Sequence, residues 1–163
     1  MTTVAVIADT HLPRGSRRLP EECVECLRAA DLTIHAGDFS SRGAYDEIEG
    51  LSRKLIAVRG NVDDAELQAR LAERAEVEID GARVAVVHDA GPARGRLARL
   101  RRAFPEADAV IFGHSHMPLH ERQGGFQIFN PGSPTERRRA PHRTFGIAEV
   151  ERGEIGFRHL ALR

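Results

Sequence analysis

Seven side chains that can ligate a cation stand just past apolar runs: Asp9, His11, Asp38, Asn61, His88, His114 and His116. Carboxylates, neutral imidazoles and one amide form a hard-to-borderline donor set that suits manganese, iron, zinc or nickel better than calcium and needs no thiolate. Singly, the members are ambiguous. Asp9-Thr10-His11 also reads as a turn capped by its aspartate, and His88 as a hydrogen-bonded core histidine. Gly113-His114-Ser115-His116 is sharper, because a glycine-led loop has the backbone freedom to turn two rings, one residue apart, towards one ion. Cys23 and Cys26 form a C-x-x-C that reads as a redox pair or as half of a zinc site. The pair falls inside a helix-like stretch over 20–30 with Pro20 near its start, where i, i+3 spacing puts both thiols on one face; helix packing is the preferred reading.

The elements that must position these groups follow from hydrophobic pattern. Thr3 to Ala8 reads as a buried strand ending on Asp9, Leu32 to Ala36 as a second ending on Gly37-Asp38, and Leu55 to Val58 as a third ending on Gly60-Asn61-Val62-Asp63. Helices are expected between them, near 20–30 and 44–51, and again from Glu66 to Arg74. The segment Glu76 to His88 alternates on both sides of Asp80-Gly81, a dipeptide suited to a hairpin turn with positive φ. A basic helix from Arg94 to Phe104 leads to a strand, Ala109 to Phe112, closed by the histidine loop; later strands are expected at Gln127 to Phe129 and Thr144 to Glu149, with a last hairpin at Arg152-Gly153-Glu154. Early β-α units followed by hairpins predict an α/β fold, a mixed β-sheet sandwich flanked by helices, with its site in the loops at the strand carboxyl ends.

At 163 residues the chain fits one domain spanning 1–163, and 41% hydrophobic with 29% charged residues is a globular balance. Basic and acidic residues number 24 each, so no global field marks a nucleic-acid or membrane binder. The amino terminus enters a strand directly with no basic segment before it, which predicts a cytoplasmic protein without a secretory signal.

In order, the blocks Asp9-Thr-His11, Gly37-Asp38, Gly60-Asn-Val-Asp63, His88 and Gly113-His-Ser-His116 resemble the D-x-H, G-D, G-N-x-[DE], H and G-H-x-H signature of the calcineurin-like metallophosphoesterases. Together with Asn130-Pro-Gly-Ser133 the likeness covers nearly the whole chain and is similar to the small single-domain phosphodiesterase branch, which includes the retromer cargo-binding subunit. The resemblance implies one metal held by Asp9, His11, Asp38 and His116, and a second by Asp38, Asn61, His88 and His114, with Asp38 bridging. Two divalent ions about 4 Å apart, Mn2+ foremost with Ni2+, Zn2+, Fe2+ or Mg2+ as alternatives, would activate a shared water as the nucleophile. Asp38 and Asn61 would then be catalytic, with Asn61 also orienting a phosphate oxygen, and His35 and Asp63 would support the ligands, although core packing is the preferred role for His35.

Two departures from the family pattern stand out. Val62 occupies the position after the asparagine where many members carry a histidine that assists the leaving group; losing a general acid costs ~10²- to 10⁴-fold, which favours activated or diester substrates. Asp89-Ala90 follows His88 where the branch often has glycine and a further histidine, which changes a pocket wall. Arginines 94, 96, 99, 101 and 102 crowd one helix, and Arg137, Arg138 and Arg139 follow the Asn130 loop; the second cluster is the better candidate for substrate binding. The expected partner is a small phosphate ester, with nucleic acid not required, no membrane and a homo-oligomer open. The competing reading is a non-catalytic protein-interaction scaffold on the same fold.

Overall fold

Val4, Val6 and Ala8 face one core while Ala5 and Ile7 face another, the period of two that a strand covered on both faces requires. This strand, β1 (Thr2–Ile7), is central to the first of two five-stranded sheets in the computed structural model, which describes residues 1–13 and 15–163. Arg14, within the turn-rich stretch after that strand, lies outside the described residues.

The first sheet runs β10 (Glu154–Leu162), β9 (Arg143–Glu151), β1, β2 (Leu32–His35) and β3 (Leu55–Ala57). β1, β2 and β3 are parallel, in register Val4 to Leu32 and Thr33 to Leu55, and β9 joins β1 antiparallel. The second sheet runs β4 (Arg74–Ile79), β5 (Ala82–Val87), β6 (Ala109–Ile111), β8 (Phe126–Asn130) and β7 (Leu119–Gln123), with β5, β6 and β8 parallel and the two outer strands antiparallel. Asp80 at φ 44° and Gly81 at φ 85° make the β4–β5 turn, and Arg152 at 52° with Gly153 at 85° make the β9–β10 turn; this double positive φ matches the twist of the flanking strands.

Three apolar layers hold the sandwich. Between the sheets lie Val4, Val6, Ile34, Val84, Val86, Ile111 and Phe129. Outside the first sheet, α1 (Glu21–Ala29), α2 (Arg42–Leu51) and α3 (Ala65–Arg70) contribute Cys23, Leu27, Tyr45, Ile48 and Leu67 against Ala5, Ile7 and Ile147. Outside the second, α4 (Arg96–Ala103) lays Leu100 near Phe104, Val110 and Ile128. The expected mixed sandwich flanked by helices is therefore the observed architecture. Leu27 is fully buried, so Leu27→Ala should lose about 2–5 kcal/mol of stability in a chemical denaturation curve, and a loss below about 1 kcal/mol would show that layer to be loosely packed.

Two elements differ from expectation. The helix after Asn61 ends at Arg70, because Leu71 turns extended and Arg74 is taken into the second sheet opposite Val87. β7 was not expected; its Leu-His-Glu-Arg-Gln sequence has no apolar face and becomes a strand through pairing with β8 at the sheet edge. The Cys pair lies in α1 as free thiols, Cys23 buried and pushed up to about 12 by burial, which fits packing and not thiolate chemistry.

Candidate metal centre

Each parallel strand delivers its next residues to one edge of the sandwich. The β1–β2 ladder continues past the strands as the Asp9 N–H donates to Gly37 O at 3.0 Å and the His11 N–H to Asp38 O at 3.0 Å. In the other sheet Gly113 N–H donates to His88 O at 3.0 Å. These bonds bring together Asp9, His11, Asp38 and Asn61 from the first sheet with His88, His114 and His116 from the second.

Two nests of donor atoms result. In one, His11 Nε2 and His116 Nε2 are 3.2 Å apart, with Asp9 Oδ1 3.6 Å from His116 Nε2 and Asp38 Oδ2 3.6 Å from His11 Nε2. In the other, His88 Nε2 lies 3.2 Å from Asp38 Oδ2, 2.9 Å from Asn61 Oδ1 and 3.3 Å from His114 Nδ1, which is itself 3.2 Å from Asn61 Oδ1. Asp38 touches both nests, as expected for a bridge. Asp9 does so too: its Oδ1 is 3.9 Å from both His11 Nε2 and His88 Nε2, so the carboxylate pair together separates the two histidine pairs.

Neighbouring carbonyls set the rings. His88 Nδ1–H donates to Ala36 O at 2.8 Å and His116 Nδ1–H to Glu136 O at 3.3 Å, which leaves each Nε2 to face the nest, the arrangement typical of a ligating histidine. Both carboxylate oxygens of fully buried Asp9 lack a hydrogen-bond partner among the described residues, and burial pushes this carboxyl up to about 7 despite the opposing charge of His88. Burial, with Arg138 and His11 adding to it, pushes His116 down to about 4. Burial also opposes charge on Asp38 and His88, yet their mutual hydrogen bond and attraction outweigh it, holding Asp38 low and His88 high. A buried, unpartnered carboxylate facing imidazole lone pairs is the electrostatic complement of a cation, so the donor set fits divalent metal.

The backbone here is held against its local preference. Asp9, His11, Asp38, His114 and His116 all have φ between 44° and 73°, the left-handed region that residues with a Cβ avoid. Surrounding bonds fix it. Asp63 accepts N–H groups from Gly60 at 2.7 Å, Ser40 at 2.8 Å and Asp38 at 3.2 Å, tying the Asn61 loop to the Asp38 loop. His35, fully buried, accepts the Gly37 N–H on Nδ1 at 3.1 Å, meets Thr10 Oγ1 through Nε2 at 3.0 Å and stacks on Phe39; it holds the loop from the core without entering the nests. Sequence reasoning missed the bonds made by the Asn130 segment. Ser133 Oγ donates to Asp9 O at 2.8 Å, Thr135 Oγ1 to Thr10 O at 2.8 Å, and Asn130 Nδ2 to Gly113 O at 3.1 Å. The block Asn130-Pro-Gly-Ser133 was visible as a motif, but its partners lie more than a hundred residues away for Ser133 and Thr135 and leave no local trace.

Asp63→Ala should release both loops and lower metal affinity by roughly 10- to 100-fold in a competition titration with a metal-sensitive dye. Retained affinity would reduce Asp63 to a turn residue.

Residues 2–153 match the calcineurin-like phosphoesterase superfamily domain. The chain belongs to this superfamily. A relative named "Probable metallophosphoesterase" from Methanothermobacter thermautotrophicus is 34% identical over 134 residues, covering 81% of this chain and 77% of the relative. A phosphodiesterase of Methanocaldococcus jannaschii is 26% identical over 145 residues, covering 79% of this chain and 82% of that one. Wild-type Vps29 of Entamoeba histolytica, solved in complex with Zn2+, superposes with a TM-score of 0.78 at 23% identity, covering 98% of each chain, a likeness of fold.

Around the two nests the arginines divide by contact. Arg138 is exposed, and its charge acts on Asp9, His11 and His116; its Nε lies 3.7 Å from Glu136 Oε1. Arg137 is turned to Ala140 O at 3.5 Å, and Arg139 is exposed. In the other cluster, Arg99 Nη2 donates to Ala90 O and Pro92 O at 2.7 Å each, and Arg96 Nη2 to Gly91 O at 3.0 Å. Those two guanidinium groups brace the loop after His88. No helix among the described residues is long and apolar enough to cross a membrane.

Proposed function

We propose that the chain is a metal-dependent phosphodiesterase with a dinuclear centre, Asp9, His11, Asp38 and His116 holding one divalent ion and Asp38, Asn61, His88 and His114 the other. The observation that carries this is the pair of donor nests around two buried carboxylates, with Asp9 left without a hydrogen-bond partner. Bound there, two ions supply Lewis acidity and activate water for in-line displacement at phosphorus. The donors come from both sheets, so neither sheet makes the site alone, which supports reading 1–163 as one domain. Mn2+ heads the candidate metals, followed by Ni2+, Zn2+, Fe2+ and Mg2+.

Asn61 orients a phosphate oxygen, and Arg138 grips another from the open side. Val62 is 46% exposed and apolar where an acid would serve the leaving group, while its backbone N–H donates to Asp38 Oδ1 at 3.0 Å. Substrates whose leaving groups need no proton, and diesters over alkyl monoesters, therefore suit this site.

The test is hydrolysis of bis-p-nitrophenyl phosphate and p-nitrophenyl phosphate by metal-stripped protein resupplied with each ion in turn. The expected result is metal-dependent turnover with the diester preferred. Absence of both turnover and metal binding would replace the enzyme with the scaffold reading, which the Vps29-like fold accommodates. Arg138→Ala should raise KM about tenfold, the size of one charge-assisted hydrogen bond, while Arg137→Ala stays within about twofold. Equal effects would remove Arg138 from the substrate site.

A further inference from the structure

Beside the second nest lies a cavity of about 300 Å³, whose lining includes Asn61 and His88 but none of the other five candidate ligands. We propose that this cavity is a subsite for a sugar-bearing ester group, so that the substrate is a phosphodiester of a sugar, a nucleoside being the case tested; the assignment rests on the phosphodiesterase reading above.

The wall decides the chemistry. Arg74 offers donors, and Glu73 and Asp89 offer acceptors. Asp89 Oδ1 accepts the Gly91 N–H at 2.8 Å, which fixes the carboxylate and leaves Oδ2 for a ligand. The Arg74 guanidinium lies 5.4 Å from the Phe104 ring centroid, which steadies a side chain otherwise exposed. Arg59 underlies the floor, its Nη1 donating to Leu71 O at 3.2 Å and Gln68 O at 3.4 Å, while Gln68 Nε2 donates to Gly60 O at 2.6 Å. These bonds tie the cavity wall to the loop that carries Asn61.

Three kinds of ester group can be compared against that wall. An aryl or alkyl group would cover charged donors and acceptors without replacing their bonds to water. A second phosphate would meet two carboxylates against Arg74 alone, the Arg59 guanidinium being turned to backbone carbonyls. Sugar hydroxyls donate and accept, so they pair with both kinds of wall group, and a site of this volume is the size of a small-ligand pocket.

Two esters with one leaving group separate these cases: uridine 5′-p-nitrophenyl phosphate and phenyl p-nitrophenyl phosphate, each assayed with Mn2+-loaded protein. The uridyl ester should have a kcat/KM at least about tenfold above the phenyl ester. The double variant Glu73→Ala/Arg74→Ala, altering two exposed residues, should erase most of that ratio by raising KM for the uridyl ester, with the phenyl ester within about twofold of wild type. Equal rates in the wild type, or a ratio that survives the double substitution, would overturn the subsite. Amide shifts of Glu73 and Arg74 on adding uridine 5′-monophosphate, absent with inorganic phosphate, provide a reading independent of turnover. If those shifts appear while neither ester is hydrolysed, the subsite stands and the phosphodiesterase reading falls; if phosphate alone produces them, the subsite falls.

Discussion

Asp38→Asn is expected to reduce metal-dependent diester hydrolysis by at least about 10³-fold, on the order of 4 kcal/mol of lost transition-state stabilisation, while the protein stays folded. The reason is position and charge together. Asp38 Oδ2 stands 3.2 Å from His88 Nε2 and 3.6 Å from His11 Nε2, so one negative charge serves both nests. Asparagine keeps the size of the side chain and its oxygen can still accept the Val62 N–H, which leaves the loop packed. What disappears is the charge shared by the two nests, and with it the affinity that would hold two ions close to one phosphate. Metal content measured on the purified variant should fall below two ions per chain. Turnover within about tenfold of wild type would show that Asp9, which reaches both nests at 3.6–3.9 Å, is the principal bridging group.

Gly60→Ala is expected to be almost as damaging although it removes no ligand. A Cβ at Gly60 would run into the backbone nitrogen and carboxylate of Asp38, and no side-chain rotation relieves a clash with backbone. The Asp38 loop and the Asn61 loop must then part, which also strains the bonds Asp63 makes to both. A displacement of 1 Å in a group that positions reacting atoms costs about 10²-fold, so kcat should fall by that order and metal affinity with it. Gly50→Ala in α2 is the matched control. Nothing lies within 4 Å of the added carbon, and helix propensity should raise stability by roughly 0.5–1 kcal/mol with activity unchanged. Wild-type kinetics in Gly60→Ala would mean that the two loops adjust freely, contrary to the tight packing between them.

Much of this was legible because apolar runs ending in polar clusters are the pattern of parallel strands feeding one edge, and Asp9, Asp38, Asn61, His88 and His114 each mark such an end. The two hairpin turns were legible because Asp80-Gly81 and Arg152-Gly153 place glycine where positive φ is needed. What stayed hidden depended on tertiary pairing. Leu119 to Gln123 carries no alternation, since four of its five side chains face solvent, and only β8 makes it a strand. Glu66 to Arg74 has no glycine or proline to end its helix, and the second sheet captures Arg74 all the same. Arg96 and Arg99 showed in sequence only as part of a basic helix, yet their hydrogen-bond partners are carbonyls of the preceding loop. Gln68 gave no signal, because a glutamine donating to a loop carbonyl looks in sequence like any other helix residue.

The left-handed backbone at Asp9, His11, Asp38, His114 and His116 bears on the history of the chain. Glycine adopts that conformation without the steric cost, about 1 kcal/mol or more at each position, so a sequence free to drift would gain stability by placing glycine there. None of the five is glycine, although glycine stands beside two of them: Gly37 precedes Asp38, which Gly60 also meets in space, and Gly113 precedes His114. The chain thus keeps a standing local instability at the positions whose side chains face the two nests, and a purely architectural role for this edge offers no return on it. Such a pattern is what the proposed metal site would ask of the fold that carries it.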